Sequence, residues 1–219
     1  MSANLKLPRV YPILDTGTLE ARGFPAVQAA AAFLEGGAGI LQLRHKRHWS
    51  RAAFDQARVI AGMCRETGAL FLVDDRADIA MLLEAGVHVG QDDLAPRDVR
   101  RLMGPDAVIG FSSHNVQQVC AAGGEPVNYL AFGPVFETAS KRNPDPVTGI
   151  EALKACRALV EKPLVAIGGI TRETAPAVLA AGADSVAVIS DLLPDELTSQ
   201  SLRERMEEWQ RLAATPRRA

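Results

Sequence analysis

The sequence has few cysteines, no long apolar run and no apolar leader. Cys64, Cys120 and Cys156 lie far apart and lack the spacing of a metal site, so we expect buried free thiols in a reducing compartment. No segment has the roughly 20 consecutive apolar residues that a transmembrane helix needs. The N-terminal residues lack the apolar core of a secretory signal. Together these absences predict a cytoplasmic protein that contacts no membrane.

Aromatic residues are also scarce, and no charge of one sign dominates. Aromatics make up 5% of the chain and the formal net charge is −2, which argues against a base-stacking platform and against a nucleic-acid partner. Hydrophobic residues make up 47% and charged residues 23%, as is ordinary for a soluble globular protein. No linker divides the 219 residues, so we expect one domain over 1–219, and the sequence leaves open whether it forms a homo-oligomer.

Segments of strand type alternate with segments of helical type along most of the chain. The expected strands are 10–14, 40–44, 70–73, 87–89, 108–112, 129–132, 164–167 and 185–189. The expected helices are 25–35, 51–67, 77–84, 96–103, 116–122, 150–160 and 173–181, followed by a polar helix or tail from about residue 192. Strands separated by helices pair in parallel. Eight such units predict an α/β fold of the TIM (β/α)8 barrel class, with a doubly wound open sheet as the alternative.

The segment after the seventh expected strand is the most informative one. That strand ends in Gly168-Gly169, and the next strand ends in Ser190. A glycine turn lets backbone N–H groups approach a phosphate without interference from a Cβ atom. Because the loops after strands 7 and 8 often form a phosphate site in TIM barrels, we expect one here. A plain turn is the alternative, and a side chain at Gly169 is expected to weaken phosphate binding selectively.

Charged side chains follow several other strands, at the barrel end where catalytic residues gather. Gln42, Arg44 and Lys46 alternate, so all three can point to one side, and Arg44 and Lys46 together could bind a dianion or pyrophosphate. Asp75 and Asp93 follow strands 3 and 4 and could hold Mg²⁺, with water and phosphate oxygens as its other ligands. Taken singly, either aspartate could instead cap the next helix.

The ordered set of these motifs resembles the thiamine phosphate synthase family over about residues 10–191. The motifs are Gln42-x-Arg44-x-Lys46, Asp74-Asp75-Arg76, His88-x-Gly90-Gln91-x-Asp93, Ser112-x-His114, Gly133-Pro134 with Thr138-x-Ser140-Lys141, Gly168-Gly169-Ile170-Thr171 and Ile189-Ser190. The resemblance implies a Mg²⁺-dependent TIM barrel. Such a barrel couples hydroxymethylpyrimidine diphosphate to hydroxyethylthiazole phosphate and releases pyrophosphate.

Carried over by position, the resemblance also implies residue roles. The pyrimidine diphosphate would be bound by Gln42, Arg44, Lys46, Ser112 and Lys141, of which all but Gln42 would be catalytic. Asp75 and Asp93 would be the Mg²⁺ ligands. The thiazole phosphate would be held by Thr138, Ser140, Gly169, Ile189 and Ser190. His114, at the mouth of the barrel, would contact a substrate, whereas His88 is expected to be a structural histidine.

The sequence departs from the family pattern at three places. Asp74 replaces a usual Asn and can accept a hydrogen bond from the pyrimidine amine but cannot donate one. The segment 75–88 is about one residue short, so Asp74 rather than Asp75 could occupy the metal position. Glu137 replaces a usual Pro and puts a negative charge near a phosphate loop, without an evident reason.

Two rival functions remain open on the same fold. A thiazole tautomerase would need neither diphosphate nor Mg²⁺, and a histidine such as His114 would transfer the proton. A non-catalytic sensor of phosphate ligands would be expected to lose its metal carboxylates. The synthase is favoured by the presence of Arg44, Lys46, Asp75, Asp93 and Lys141.

Overall fold

Eight parallel strands close into a barrel in the computed structural model, which describes residues 5–138 and 145–214. Each strand pairs with its neighbours in chain order, and β1 pairs with β8 to close the ring. The strands are β1 Val10–Asp15, β2 Ile40–Arg44, β3 Leu70–Asp74, β4 Gly86–Val89, β5 Ile109–Ser113, β6 Tyr129–Phe132, β7 Leu164–Ile167 and β8 Ser185–Val188. The predicted single-domain TIM barrel is confirmed, and the open-sheet alternative is wrong because the sheet has no free edge.

Helices connect consecutive strands and cover the outside of the barrel. They are α1 Thr16–Ala21, α2 Ala26–Glu35, α3 Arg51–Thr67, α4 Ala77–Leu82, α5 Pro96–Met103, α6 Val116–Ala122, α7 Gly149–Leu159, α8 Ala175–Ala180 and α9 Ser199–Ala214, with a 3-10 turn at Ser190–Leu192. The short helix α1 was not predicted from the sequence. This helix forms because Asp15 caps it, accepting a hydrogen bond from the Thr18 backbone N–H at 2.7 Å.

The alternation of side chains along the strands produces two apolar cores. One lies inside the barrel and contains Tyr11, Ile13, Ile40, Leu72, Tyr129, Ala131, Val165 and Ala187. The other lies between the sheet and the helices and takes the alternate strand residues, such as Leu41, Leu43 and Val73. Because successive residues of a strand point to opposite faces, both faces of every strand are buried. The inward face ends in polar residues at the carboxyl end of the barrel.

The C-terminal helix α9 is less polar than its sequence suggested. Leu202, Met206, Trp209 and Ala213 are fully or almost fully buried, and their spacing of three or four residues places them on one helical face. This face packs against α2, where a Cβ atom at Gly36 would lie only 2.7 Å from the Met206 Cβ atom. The helix is therefore an integral part of the outer layer.

The three cysteines are free, and only two follow the expectation. Cys64 and Cys156 are buried, but Cys120 is exposed on α6, so its predicted burial is wrong. None of the helices within 5–138 and 145–214 is both long and apolar enough to cross a membrane.

Candidate active site

A cavity of about 790 Å³ opens at the carboxyl ends of the strands. Every predicted site residue within the described ranges lines it: Gln42, Arg44, Lys46, Asp74, Asp75, Asp93, Ser112, His114, Thr138, Gly169, Ile189 and Ser190. The two other predicted residues, Ser140 and Lys141, lie outside the described residues. Residues from seven different strand ends or following loops are thus brought together, and the volume is typical of a small-molecule site.

Arg44 is fixed at the mouth of the barrel by two carboxylates. It forms an ion pair and hydrogen bond with Asp15 at the end of β1, and its Nε atom lies 3.7 Å from Asp74 Oδ2. Asp15 also accepts hydrogen bonds from the backbone and hydroxyl of Thr18. Burial raises the pKa of Asp15, but the bonds from Thr18 and Arg44 outweigh burial and leave the pKa below its ordinary value. The guanidinium is therefore held in place before any ligand binds.

Lys46 lies between two consecutive aspartates at the end of β3. Its Nζ atom is 2.8 Å from Asp74 Oδ2 and also pairs with Asp75. Burial lowers the pKa of Lys46, but the charge of Asp74 and its bonds to both aspartates raise it above the ordinary value. Burial raises the pKa of Asp74 while Lys46 and Arg44 oppose this shift. Lys46 is a permanent cation at the cavity mouth.

Asp74 and Asp75 have different environments, which bears on the register of the metal position. Asp74 points into the barrel, is 8% exposed, and accepts a hydrogen bond from Gln42 Nε2 at 2.7 Å. Asp75 is more exposed. Burial raises the pKa of Asp93, and the negative charge of Asp75 adds to this shift against the opposing bond from Gly90. The charge of Asp93 also contributes to raising the pKa of Asp74, after burial, so the greater exposure of Asp75 is what favours it, rather than Asp74, as the partner of Asp93.

Neither carboxylate of this pair caps a helix, so the alternative that each aspartate caps the helix after it is wrong. The residue before α4 is Arg76 and the residue before α5 is Ala95, and no side chain caps either helix. Asp93 Oδ2 instead accepts from the Gly90 backbone N–H at 2.7 Å, within its own loop. The two side chains are therefore available to the cavity.

The carboxylate pair fits a Mg²⁺ ion. Two neighbouring carboxyl groups that repel each other when both are ionised gain from a divalent cation. Mg²⁺ commonly takes one or two protein carboxylates and completes its shell with water and substrate phosphate. In the part of the chain that the structure describes, no group of three or more His, Cys, Asp or Glu side chains could hold a metal ion. Asp75 and Asp93 are therefore the candidate carboxylate pair for Mg²⁺ at this mouth.

A buried chain of hydrogen bonds supports Ser112 from below. Ser112 Oγ lies 2.8 Å from His88 Nε2, His88 Nδ1 lies 2.9 Å from the Tyr129 hydroxyl, and that hydroxyl lies 2.8 Å from the Tyr11 hydroxyl. Burial lowers the pKa of His88 to about 4, so the ring is neutral near pH 7. The expected structural role of His88 is consistent with these contacts, and the ring also lines the cavity.

Gly110 makes room for this chain on β5. A Cβ atom there would lie 2.1 Å from Tyr129 Cζ and 2.4 Å from His88 Nδ1, distances that no side chain could occupy. The glycine is thus required by the close approach of the His88 and Tyr129 side chains from neighbouring strands.

His114 is oriented by the loop after β6. Its Nδ1 atom donates to the Gly133 carbonyl at 2.8 Å and lies 3.5 Å from Asp145 Oδ2. Its backbone N–H donates to Gln118 Oε1 at 2.6 Å. With Nδ1 as the donor, Nε2 of the neutral ring is an acceptor.

The glycine turn after β7 has the left-handed backbone expected of it. Gly168 and Gly169 have φ angles of 98° and 62°. A Cβ atom at Gly169 would lie 2.2 Å from the Glu137 carbonyl oxygen. The turn therefore packs tightly against the loop after β6, and a side chain at Gly169 would disturb that loop as well as the expected phosphate space. The exposed Glu137 lines the cavity, and its charge still has no structural explanation.

Three residues of the site were missed by sequence reasoning. Asp15 was missed because the first strand was predicted to end one residue early, at Leu14. If the strand had been extended by one residue, Asp15 would have been recognised as another polar residue at a strand end. Tyr11 and Tyr129 were read only as apolar strand residues. Both tyrosines lie inside the barrel, and the hydroxyl of a tyrosine within an otherwise apolar strand was the available signal.

Comparisons with known proteins agree with this geometry. A family model described as Thiamine monophosphate synthase matches residues 10–192. The thiamine-phosphate synthase of Koribacter versatilis (strain Ellin345) is 46% identical over 198 residues, covering 89% of this chain and 93% of that protein. The thiamine-phosphate synthase of Laribacter hongkongensis (strain HLHK9) is 44% identical over 185 residues, covering 83% and 85%.

A solved structure shares both the sequence and the fold. The thiamine phosphate pyrophosphorylase from Pyrococcus furiosus is 31% identical to this chain, with a TM-score of 0.82 over 94% of this chain and 95% of that one. With a family model that spans most of the barrel and relatives above 40% identity along nearly their whole length, the chain belongs to the thiamine monophosphate synthase family.

Proposed function

We propose that this protein is a thiamine phosphate synthase, which joins hydroxymethylpyrimidine diphosphate to hydroxyethylthiazole phosphate and releases pyrophosphate. The observation that carries the proposal is the pairing of Asp75 and Asp93 beside the fixed cations Arg44 and Lys46. That combination suits a diphosphate with a divalent cation.

The diphosphate is proposed to bind at the ends of β2, β3 and β4. Arg44 presents a planar fork that matches phosphate oxygens, and Lys46 adds a point charge. Lys141, from the loop after β6, is proposed to approach the same group. These cations neutralise the charge that builds on the leaving pyrophosphate, which is how positioned charges lower a barrier.

Asp75 and Asp93 would hold Mg²⁺ at this mouth. When bound there, the ion would supply a Lewis acid that stabilises negative charge on the diphosphate oxygens. Asp93 is oriented for this by its bond from Gly90, and Asp75 by its ion pair with Lys46.

The pyrimidine ring is proposed to lie deeper in the cavity, among Gln42, Asp74, Ser112 and His114. The Asp74 carboxylate has about four lone-pair positions, so it can accept from the ring's amine while bonded to Gln42. Ser112 is held by neutral His88, and His114 Nε2 offers an acceptor. Fixing both rings at van der Waals distance would supply much of the acceleration.

The reaction then needs no general base. The bond between the CH2 carbon and the pyrophosphate oxygen breaks, and its electron pair leaves with pyrophosphate. The lone pair of the thiazole nitrogen forms the new C–N bond to that carbon. No proton moves in either step, so the site needs positioned charge and exclusion of water rather than an activated nucleophile.

The thiazole phosphate is proposed to bind across the barrel, at the loops after β7 and β8. Strands 7 and 8 lie opposite strands 3 and 4 in an eight-stranded ring, so the two phosphate groups enter from different sides. Gly169, Ile189 and Ser190 line this end, together with Thr138. Ser140 belongs to the same proposal. We also propose that the protein acts in the cytoplasm.

A condensation assay tests the function. Purified protein is incubated with both substrates, with and without Mg²⁺, and thiamine phosphate and pyrophosphate are measured. We expect both products only with Mg²⁺ present. Isomerisation of a thiazole phosphate in excess chelator, without condensation, would overturn the proposal in favour of the tautomerase.

A further inference from the structure

We infer that Trp209 and Arg172 are positioning residues that hold the phosphate-binding end of the cavity through the carboxylate of Asp191. The inference rests on the proposed function, since it assigns them to binding of the thiazole phosphate. It gives α9, which lies beyond the residues that the family model matches, a part in substrate binding.

Asp191 is the point at which three segments meet. It follows Ser190 directly, within the 3-10 turn after β8, and it lines the cavity. Its Oδ2 atom accepts from Trp209 Nε1 at 2.9 Å and from Arg172 Nε at 3.0 Å. Its backbone carbonyl accepts from Arg205 Nη1 at 2.6 Å. Both the side chain and the backbone of this one residue are therefore anchored to α9.

Arg172 joins the two phosphate loops to each other. It stands three residues after Gly169, in the loop that follows β7, while Asp191 belongs to the turn after β8. Arg172 Nη1 also pairs with Glu208 on α9. The loops after β7 and β8 are thus tied to one another and to the same turn of α9. A phosphate held by both loops needs their spacing to be constant.

Trp209 is a rigid anchor for this contact. Its side chain is fully buried, between neighbours on the apolar face of α9. A buried indole has few rotamers available and places its N–H in a fixed direction. The position of the Asp191 carboxylate is therefore set by the packing of α9 on the barrel.

Charge gives the arrangement a second consequence. A free carboxylate one residue from Ser190 would repel a phosphate dianion at the same turn. Two donors on one oxygen, one of them a guanidinium, hold the charge at the α9 side and neutralise it. The same contacts thus orient the turn and reduce the electrostatic repulsion between the Asp191 carboxylate and the bound phosphate.

The test uses Trp209→Phe, which keeps an aromatic ring and removes the N–H donor. Binding of the thiazole phosphate is measured by calorimetry, and hydrogen exchange is followed at the backbone amides of 190–193. We expect the dissociation constant to rise about tenfold, as for the loss of a hydrogen bond to a charged group. The kcat and the KM for the pyrimidine diphosphate should stay within about twofold, because those contacts lie across the barrel.

Leu202→Ala is the matched control. Leu202 is equally buried on α9 and packs in the same apolar face, but it lies two turns before Trp209, the residue that donates to the Asp191 carboxylate. This variant should lose stability without faster exchange at 190–193 and without weaker binding. Arg172→Gln is a second probe that does not open a cavity in the core. It should weaken binding as Trp209→Phe does, and Arg172→Lys should restore part of it.

The outcomes separate the two proposals. Condensation by the wild-type protein, with equal binding by Trp209→Phe and Leu202→Ala, would overturn the positioning role alone. Absence of thiazole phosphate binding by the wild-type protein would overturn the proposed function. In that case unchanged exchange at 190–193 in Trp209→Phe would also refute the anchoring of the turn.

Discussion

His88 is a buried base that the folded protein keeps neutral. Burial lowers its pKa to about 4, and the nearby Lys46 adds to the shift. In the unfolded chain its pKa is ordinary, about 6.5. As the pH falls from about 6.5 to about 4, the unfolded state therefore binds a proton that the folded state refuses. The free energy of unfolding should fall by up to about 3 kcal/mol over this window.

The comparison of wild type with His88→Gln isolates this effect. Urea unfolding at pH 7 and pH 4.5 gives the stability of each protein, and the carboxylates that titrate in the same range are common to both. The wild type should lose more stability than the variant on acidification. Parallel losses would show that the imidazole is not shielded as described.

Asp93 offers the sharpest test of the metal proposal at a single residue. Asp93→Asn keeps the shape of the side chain and its bond from Gly90, but removes the charge that a divalent cation needs. We expect kcat to fall by roughly a hundredfold or more, with an unchanged circular dichroism spectrum. Asp98→Asn, at an exposed position of α5, is the control and should retain wild-type turnover. A fully active Asp93→Asn protein would remove this aspartate from the chemistry.

At the residue scale, sequence reasoning predicted residues that line one cavity but not the residues that support them. Gln42, Arg44 and Lys46 were predictable because strand alternation alone puts them on one face. The contact between Tyr11 and Tyr129 joins residues 118 positions apart, and it depends on the relative heights of β1 and β6 inside the ring. Sequence periodicity gives the face of a strand but not its height, so such contacts were out of reach.

Among the elements, the turn after β7 changes what we expect from a side chain at Gly169, which the sequence predicted to weaken phosphate binding selectively. Gly169→Ala puts a Cβ atom against the Glu137 carbonyl oxygen, whereas Gly68→Ala, also at positive φ, meets no atom within 4 Å. The Gly68 variant should lose about 1 kcal/mol from backbone strain alone. The Gly169 variant should lose a further 1–3 kcal/mol or so from overpacking, as measured by urea unfolding.

The activity of the Gly169 variant should follow from the same contact. Its loop packs against the segment that leads to Lys141, so binding of both substrates should suffer, and not the thiazole phosphate alone. A selective loss of thiazole phosphate binding would show that the loop after β6 adapts to the added methyl group.

Element boundaries agree with the sequence prediction where a glycine or a cap punctuates the chain. The helix α3 was predicted with its observed ends, because Ser50 caps one end and Gly68 closes the other. The short α1 was missed because Asp15, which ends β1 and caps α1, was not recognised as a capping residue. The apolar face of α9 was overlooked because long charged side chains outnumber the four apolar positions.

For the whole molecule, α9 is predicted to be indispensable. Burial of Leu202, Met206 and Trp209 contributes on the order of 5–9 kcal/mol, which is comparable with the total stability of a domain. A protein lacking residues from 199 onward should show no cooperative unfolding transition by circular dichroism. Glu204→Ala, on the exposed face of the helix, should unfold like the wild type. A truncated protein with a sharp transition would show that the barrel folds without α9.

The pairing of β1 with β8 has a consequence for how the protein is made. A ribosome adds about 5–20 residues each second, so on the order of ten to thirty seconds separate the synthesis of the first strand from that of the last. During this time the edge of β1 that later pairs with β8 has no partner strand, and unpaired strand edges promote association with other chains. We therefore expect nascent chains of this enzyme to depend on chaperones until the eighth strand emerges and the ring can close.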